Sequence, residues 1–476
     1  MNEESDKLSF QEKLDRMVHS LRSEIINGIR KPGAFLPSES ALAKQFKISN
    51  KTVRKGLELL VEEELIVKID RVGSMVSKEQ KPIIVNFGCN PSLSEDIVMD
   101  QLLEEFHRLH PAIHVRAIPL DFFEHVTSAG EMLSSGMLDV VSFNNWQFQE
   151  MCETGTGFPL LEPLESDDGI YRVASEAFRH EGQLYARVVS FSPVVLCYNK
   201  EHFQEAKLQE PDSSWTWDDL LDTARKLTKY SGRHSIYFVP AALNRYPIFL
   251  LHSGLMESAE GVAVNSLDEL DGNTGRKRNN APGLAYSLRK LSDIVNDHTI
   301  FPKYFSGSSE DDSISLFMQE RVSIILTTYF SLNAFKERSL SYDISPVPLM
   351  NRGGEQKTLL VSIGVAVNRR SKEKEAARTF AEFLASPAAQ AIIREKTISI
   401  PSRKMIAEEA ATEDINRPSR YSMYRELFPS FMYHNQLGLS IHSMKQFSSS
   451  LKEFWSDIID EKELYAKLES YYSDNK

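Results

Sequence analysis

Three short stretches constrain the fold more than anything else in this 476-residue chain. IIVNFGC at 83–89 reads as a buried strand, LLEEFHRLHP closes an amphipathic helix at 111, and IHVRAIPL at 113–120 reads as a second strand. Strand, helix and strand within about forty residues start a parallel sheet covered by helices. GMLDVVSFNN adds a third strand at Val140–Phe143, followed by Asn144, Asn145 and Trp146. In open α/β sheets ligands sit beyond the carboxyl ends of strands. That loop is therefore the first ligand-site candidate, and Asn90, after the first strand, is another.

The segment ahead of this sheet has a different character. Residues 1–78 carry 14 Lys+Arg against 12 Asp+Glu, or +2, while the other 398 residues carry −14 of the total −12. Leu14, Met17, Val18, Leu21, Ile25 and Ile26 form one helical stripe that stops at Asn27-Gly28. Ser38 can cap a second helix with Ala41, Leu42 and Phe46 inward, and Ser49 a third. In the third helix Val53, Leu57, Leu60 and Val61 share a face. Lys51 and Lys55 then point outward, with Arg54 on the flank and Asn50 in the exposed first turn. A strand near Leu65–Ile69, a turn at Arg71-Val72-Gly73 and a strand from Ser74 complete a winged helix-turn-helix, mostly helical with a small β wing. The third helix of such a unit enters the major groove of DNA.

Residues 10–77 resemble the GntR family of bacterial transcription regulators. Ile25 and Gly28, Pro32-Gly33, Leu36-Pro37-Ser38-Glu39, Leu42-Ala43, Ser49–Arg54 and Gly73 carry the likeness. The resemblance implies that Ser49, Lys51, Thr52 and Arg54 meet phosphates or base edges, and that Gly73 lets the wing approach the minor groove. Ser38, Asn50 and Lys55 join them as DNA-contact candidates. Ser40 and Asn50 stand where the family commonly has arginines, so the resemblance sets no operator sequence. The family solution is a homodimer on a palindromic operator.

Linker residues 79–82 divide this unit, 1–78, from residues 83–476. There Gly182-Gln-Leu-Tyr185, Tyr198-Asn199-Lys200, Thr216-Trp217, Pro346-Val-Pro348, Ser371–Ala376, Phe383-Leu384 and Ile400-Pro401 resemble, in order, the family 1 extracellular solute-binding proteins of carbohydrate importers. That implies a two-lobed α/β fold of the periplasmic-binding-protein type II class, closing on a solute. Sugars present C–H faces to aromatic rings and hydroxyls to amides and serines. The ligand candidates are Asn90, Asn144, Asn145, Trp146, Ser190, Tyr237, Tyr329 and Phe330. Trp217 is read as structural, because Thr216 and Asp219 form a capping box that docks it.

Other chemistry finds little support. The chain has no HExxH, G-x-S-x-G or Walker lysine loop, and Gly155-Thr-Gly157 lacks a third glycine. No catalytic residue, metal ligand or cofactor is assigned. Cys89, Cys152 and Cys197 have no metal-like spacing and read as reduced thiols. The charged N-terminus has no apolar h-region, and the uncharged run VSIILTTYFSLNAF is too short to span a bilayer. The expectation is a cytoplasmic, non-membrane, non-enzymatic regulator that binds double-stranded DNA and senses a sugar or oligosaccharide. The competing readings are a carbohydrate-binding module whose helix-turn-helix serves protein contacts, and an unrecognised glycoside hydrolase.

Overall fold

The computed structural model describes residues 10–26, 29–70, 72–77, 82–121, 124–251, 284–303, 312–409 and 415–474. Gly28, Arg71, most of linker 79–82 and the basic stretch 276–279 lie outside them.

The N-terminal unit has helices α1 (Phe10–Ile26), α2 (Glu39–Phe46) and α3 (Asn50–Glu62), then strands β1 (Ile66–Ile69) and β2 (Gly73–Val76). Local chemistry sets its boundaries. The Ser38 hydroxyl accepts the Ala41 N–H at 3.2 Å, and α2 stops at Lys47, whose φ is 54°. The Ser49 hydroxyl caps α3 by accepting the Thr52 N–H at 3.1 Å. Antiparallel β1 and β2 run from Ile66 opposite Val76 to Ile69 opposite Gly73. Leu14, Met17, Leu21, Leu42, Val53, Leu57, Leu60 and Val76 fill a core of their own. Gly56 permits the α1–α3 approach, since a Cβ there would lie 2.2 Å from the Met17 Cε. Glycine inside a helix costs roughly 1 kcal/mol against alanine, and this close packing offsets it.

The body supplies β3 (Ile83–Cys89), β4 (Ile113–Pro119), β5 (Val140–Asn144), a small hairpin of β6 (Arg179–His180) and β7 (Gln183–Leu184), then β8 (Arg187–Asn199) and β9 (Ile236–Tyr237). After these come β10 (Ile324–Thr328), β11 (Tyr342–Ser345), β12 (Thr358–Val367), β13 (Ile400–Pro401) and β14 (Phe431–Met432). One ten-stranded sheet has the order β4-β3-β5-β12-β8-β10-β9, with β11 and β13 on β8 and β14 on β12. β3 is parallel to both β4 and β5, as the opening sequence pattern requires.

β8 and β12 join two lobes. Both are buried along their whole length. Residues 187–193 of β8 pair with β12, whereas Val194–Tyr198 pair with β10 and Leu196–Asn199 with β11. Pro193, which has no N–H to give a neighbour, marks the change-over. The first lobe holds β3–β5, and the second β9–β11. Gly364 on β12 lies against Phe178, whose ring carbon would be 2.9 Å from an added Cβ. The two cores meet beneath α1: Ile26 belongs to the body's cluster, and Ile83 packs against both.

Candidate functional site

A basic face is built on α3. Lys51, Arg54 and Lys55 are exposed on it, with Ser49 and Asn50 at its start. Gly73 sits exposed on the wing with φ +135°, a conformation that L side chains rarely adopt, and nothing lies within 4 Å of where a Cβ would be. Ser38 is exposed, though its hydroxyl serves the α2 cap. Thr52 corrects the sequence reading: it is only 2 % exposed, with its hydroxyl 2.8 Å from that of Ser49. Its place is behind the cap rather than on the open face, because Val53 and Thr52 both turn toward the core. Arg54 Nε donates to Glu39 Oε2 at 2.7 Å. The Glu39 carboxylate raises the Arg54 pKa further. Any anion approaching Arg54 therefore competes with Glu39, a pairing fifteen residues apart that no local pattern announces.

At the carboxyl end of β5, Asn144 caps helix Asn145–Thr154 through a reciprocal box with Gln147. Asn145 is buried, and its amide takes over where β5 stops pairing. Its Nδ2 donates to Leu360 O at 3.3 Å and to His434 Nδ1 at 3.2 Å, and its Oδ1 accepts the Ser362 N–H at 3.0 Å. His434 Nε2 lies 2.7 Å from Leu243 O, which fixes the tautomer with Nε2 as donor. Burial pushes the His434 imidazole down to about 4, so it is neutral. Trp146 is 7 % exposed and stands edge-on to His434, with centroids 5.4 Å apart.

The other candidates divide. Asn90 is half-buried and its Oδ1 accepts the Ser92 N–H at 2.9 Å. Ser190, fully buried, donates to Ile400 O at 2.8 Å and ties β13 to β8. Tyr329 is likewise buried; its N–H donates to Ser192 Oγ at 2.7 Å and its hydroxyl to Tyr421 O at 2.9 Å. Phe330, 8 % exposed, follows it. Tyr237 lies at the far sheet edge against Phe301, 5.2 Å between centroids. The side chains of Asn145, Ser190 and Tyr329 are thus engaged within the protein, by main-chain groups and, for Asn145, also by His434, where the sequence expectation has them meeting a solute.

Around Tyr329 at the lobe junction stand several aromatic residues that carry no motif. Tyr171, Phe191, Tyr329, Tyr421, Tyr424 and Phe428 pack edge-to-face or tilted across the β8 crossing. Asn333 and Asp96 meet between the lobes. The run of aromatics at Tyr421, Tyr424, Phe428 and Phe431 is the sequence signal for this cluster. Among the described residues no group of three His, Cys, Asp or Glu could hold a metal, and no helix is long and apolar enough to cross a membrane.

A two-lobed α/β clamp on paired crossing strands, preceded by a winged helix-turn-helix, defines the class: a solute-binding fold carrying a DNA-reading head. The chain belongs to the bacterial extracellular solute-binding protein family, whose model matches residues 101–419, and residues 13–76 match the bacterial regulatory proteins of the gntR family. The head is 42% identical over 65 residues to the mannosyl-D-glycerate transport/metabolism system repressor of Escherichia coli, covering 14% of this chain and 27% of that one. The body is 22% identical over 297 residues to the arabinooligosaccharide-binding protein of Bacillus subtilis, covering 60% and 65% respectively. A binding protein of Brucella abortus is 25% identical over 206 residues, 43% of this chain, and the chain spans only 47% of that relative's length. Among solved structures, an ABC substrate-binding protein from Listeria monocytogenes in complex with cycloalternan aligns with TM-score 0.66 at 20% identity, over 83% of this chain and 99% of that one. The Thermus thermophilus maltotriose-binding protein gives 0.60 at 18%, over 82% and 98%. At these identities the likeness establishes the fold.

Proposed function

We propose that this protein is a cytoplasmic transcription regulator that binds a palindromic operator as a homodimer and senses a mono- or oligosaccharide between its lobes. The observation that carries the reading is the pairing of two units in one chain: the exposed Lys51, Arg54 and Lys55 on a capped third helix, and a clamp fold behind it. Basic side chains near phosphates give sequence-independent affinity by releasing counterions, and base edges then supply selectivity. The sugar class is supported by the relatives named above, several of which bind saccharides. Closing on the sugar changes operator affinity only as far as the sugar prefers one lobe arrangement over the other. No catalytic role is proposed.

Two measurements test this together. A thermal-shift screen against mono- and oligosaccharides identifies the ligand, since one at 100 times its Kd adds ~2.7 kcal/mol of stability. A gel shift on the DNA upstream of the protein's own coding sequence tests the head. Failure of every saccharide to shift the melting temperature would remove the sensor role. Salt-insensitive or absent DNA binding would remove the regulator role.

A further inference from the structure

The head and the first lobe meet through a small charge cluster between α1, α3 and helix Lys374–Leu384. His19 Nδ1 of α1 lies 2.5 Å from Glu375 Oε1, and an Arg22 guanidinium nitrogen lies 3.5 Å from the same oxygen. Arg22 also grips the end of α3, donating from Nε to Glu63 Oε2 at 2.8 Å and from a second nitrogen to Glu63 Oε1. Glu63 is the C-terminal cap residue of the helix that displays Lys51, Arg54 and Lys55. Among the described residues, Glu375 Oε2 has no hydrogen-bond partner, and both groups that meet Oε1 come from the head. Among the described residues the carboxylate has no such partner in its own lobe.

The same helix is anchored to the strand that joins the lobes. Arg187, the first residue of β8 and 7 % exposed, donates to Glu382 Oε1 at 2.7 and 3.2 Å. Arg378 and Lys374 both pair with the buried Glu162. Phe380 stands edge-on to Phe87 of β3 and to Phe106, at 5.2 and 5.1 Å. This helix is thus fixed to the first lobe at several points and presents one carboxylate outward to the head.

We infer that Glu375 is a positioning residue for DNA recognition: through His19, Arg22 and Glu63 it holds α3 in a set orientation on the first lobe, so that head and first lobe turn as one piece. The docking deepens the proposed regulation, and it rests on that reading only for its consequence at DNA. Apart from this cluster the cores touch, among the described residues, only through Ile26 and Ile83, an apolar contact without a directional bond. A head held so loosely would tilt on the lobe and transmit little of its closure. A head held by Glu375 inherits every rotation of the first lobe.

The test uses the full chain with Cys152→Ser, and nitroxide labels at Lys51→Cys on α3 and Glu104→Cys on the first lobe, both exposed positions. Pulsed electron–electron double resonance reads their separation. The inference expects a single narrow distribution, at least about twofold broader in Glu375→Lys, because domains without a fixing contact move independently by default. The charge-swapped pair His19→Glu with Glu375→Lys should narrow it again, which a general loss of packing would not allow. An unchanged width in Glu375→Lys, or a swap that restores nothing, overturns the inference. Should Glu375→Lys fail to fold, Glu375→Gln carries the same criterion of broadening. Each variant is also assayed by gel shift on the upstream DNA in the otherwise unsubstituted chain, with Lys51 and Glu104 intact. Broadening and rescue without any DNA binding would leave the docking standing and sink the regulator reading. DNA binding with no broadening would do the reverse.

Discussion

The side-chain amide of Asn333 donates to the main-chain carbonyl of Asp96 at 3.3 Å, joining the turn after β10 in the second lobe to helix Leu93–Asp96 after β3 in the first. The same amide donates to Ser399 Oγ at 2.9 Å, while Asn333 Oδ1 accepts the Ile398 N–H at 2.7 Å. Ser399 Oγ in turn donates to Asp96 O at 2.5 Å. Two lobes and the segment leading into β13 are thus stitched together at one carbonyl. It is a defined chemical contact between the lobes.

Removing that stitch should loosen the junction. Asn333→Ala leaves the Ile398 N–H without its acceptor and deprives Asp96 O of one donor, a loss of ~1–3 kcal/mol for a buried group left unmade. Urea denaturation should show the lower midpoint, and small-angle scattering a larger radius of gyration. An unchanged midpoint and radius would mean the contact does not hold the lobes.

Asp96 also gives the junction a pH response. Burial pushes its carboxyl up from 3.8 to about 7, only partly opposed by the Ser92 hydroxyl. The folded state therefore holds a proton more tightly than the unfolded chain, and the stability this confers is full below pH 4 and lost as pH rises through 7. Asp96→Asn keeps an acceptor for Ser92 and carries no charge. The variant should melt higher than the parent at pH 8, by less at pH 5, and the two should converge below pH 4.

His434 runs the other way. Its folded value near 4 lies below the ordinary 6.5, because burial disfavours the imidazolium. The unfolded chain takes up the proton first, so stability present above pH 6.5 drains as pH falls toward 4, by about 3 kcal/mol. His434→Gln can still meet both Asn145 and Leu243 and does not titrate. Its denaturation midpoint should lose this acid slope; a slope equal to the parent's would place the proton uptake elsewhere.

What the sequence made legible follows from how far each signal reaches. Local chemistry is written within a few residues, so the Ser38 and Ser49 caps, the Thr216–Asp219 box and the β3–β4–β5 alternation could all be read. Trp217 is fully buried, 4.8 Å from Phe249, as that box implied. Side-chain purpose at the junction was not legible, because it depends on partners hundreds of positions away. Asn145 looks like a sugar ligand until Leu360, Ser362 and His434 are set beside it. Thr52 lies in the motif but points inward, a distinction of one helical step.

Arg54 offers the sharpest test of the DNA face. Arg54→Ala should lower affinity for duplex DNA and reduce the slope of log K against log salt by ~1 if it meets a phosphate. Glu39→Gln should strengthen binding, since it frees Arg54 from its 2.7 Å partner. Fluorescence anisotropy over a series of salt concentrations reads both. Identical slopes in all three proteins would take Arg54 off the interface.

Coupling itself is best measured with a labelled duplex from upstream of the protein's own coding sequence. Its affinity is read by anisotropy with and without the saccharide that raises the melting temperature, held at about 100 times its Kd. A clamp that reorients its heads on closing predicts a change of roughly 5–150-fold. Equal affinity in the two conditions, with the sugar demonstrably bound, would contradict it.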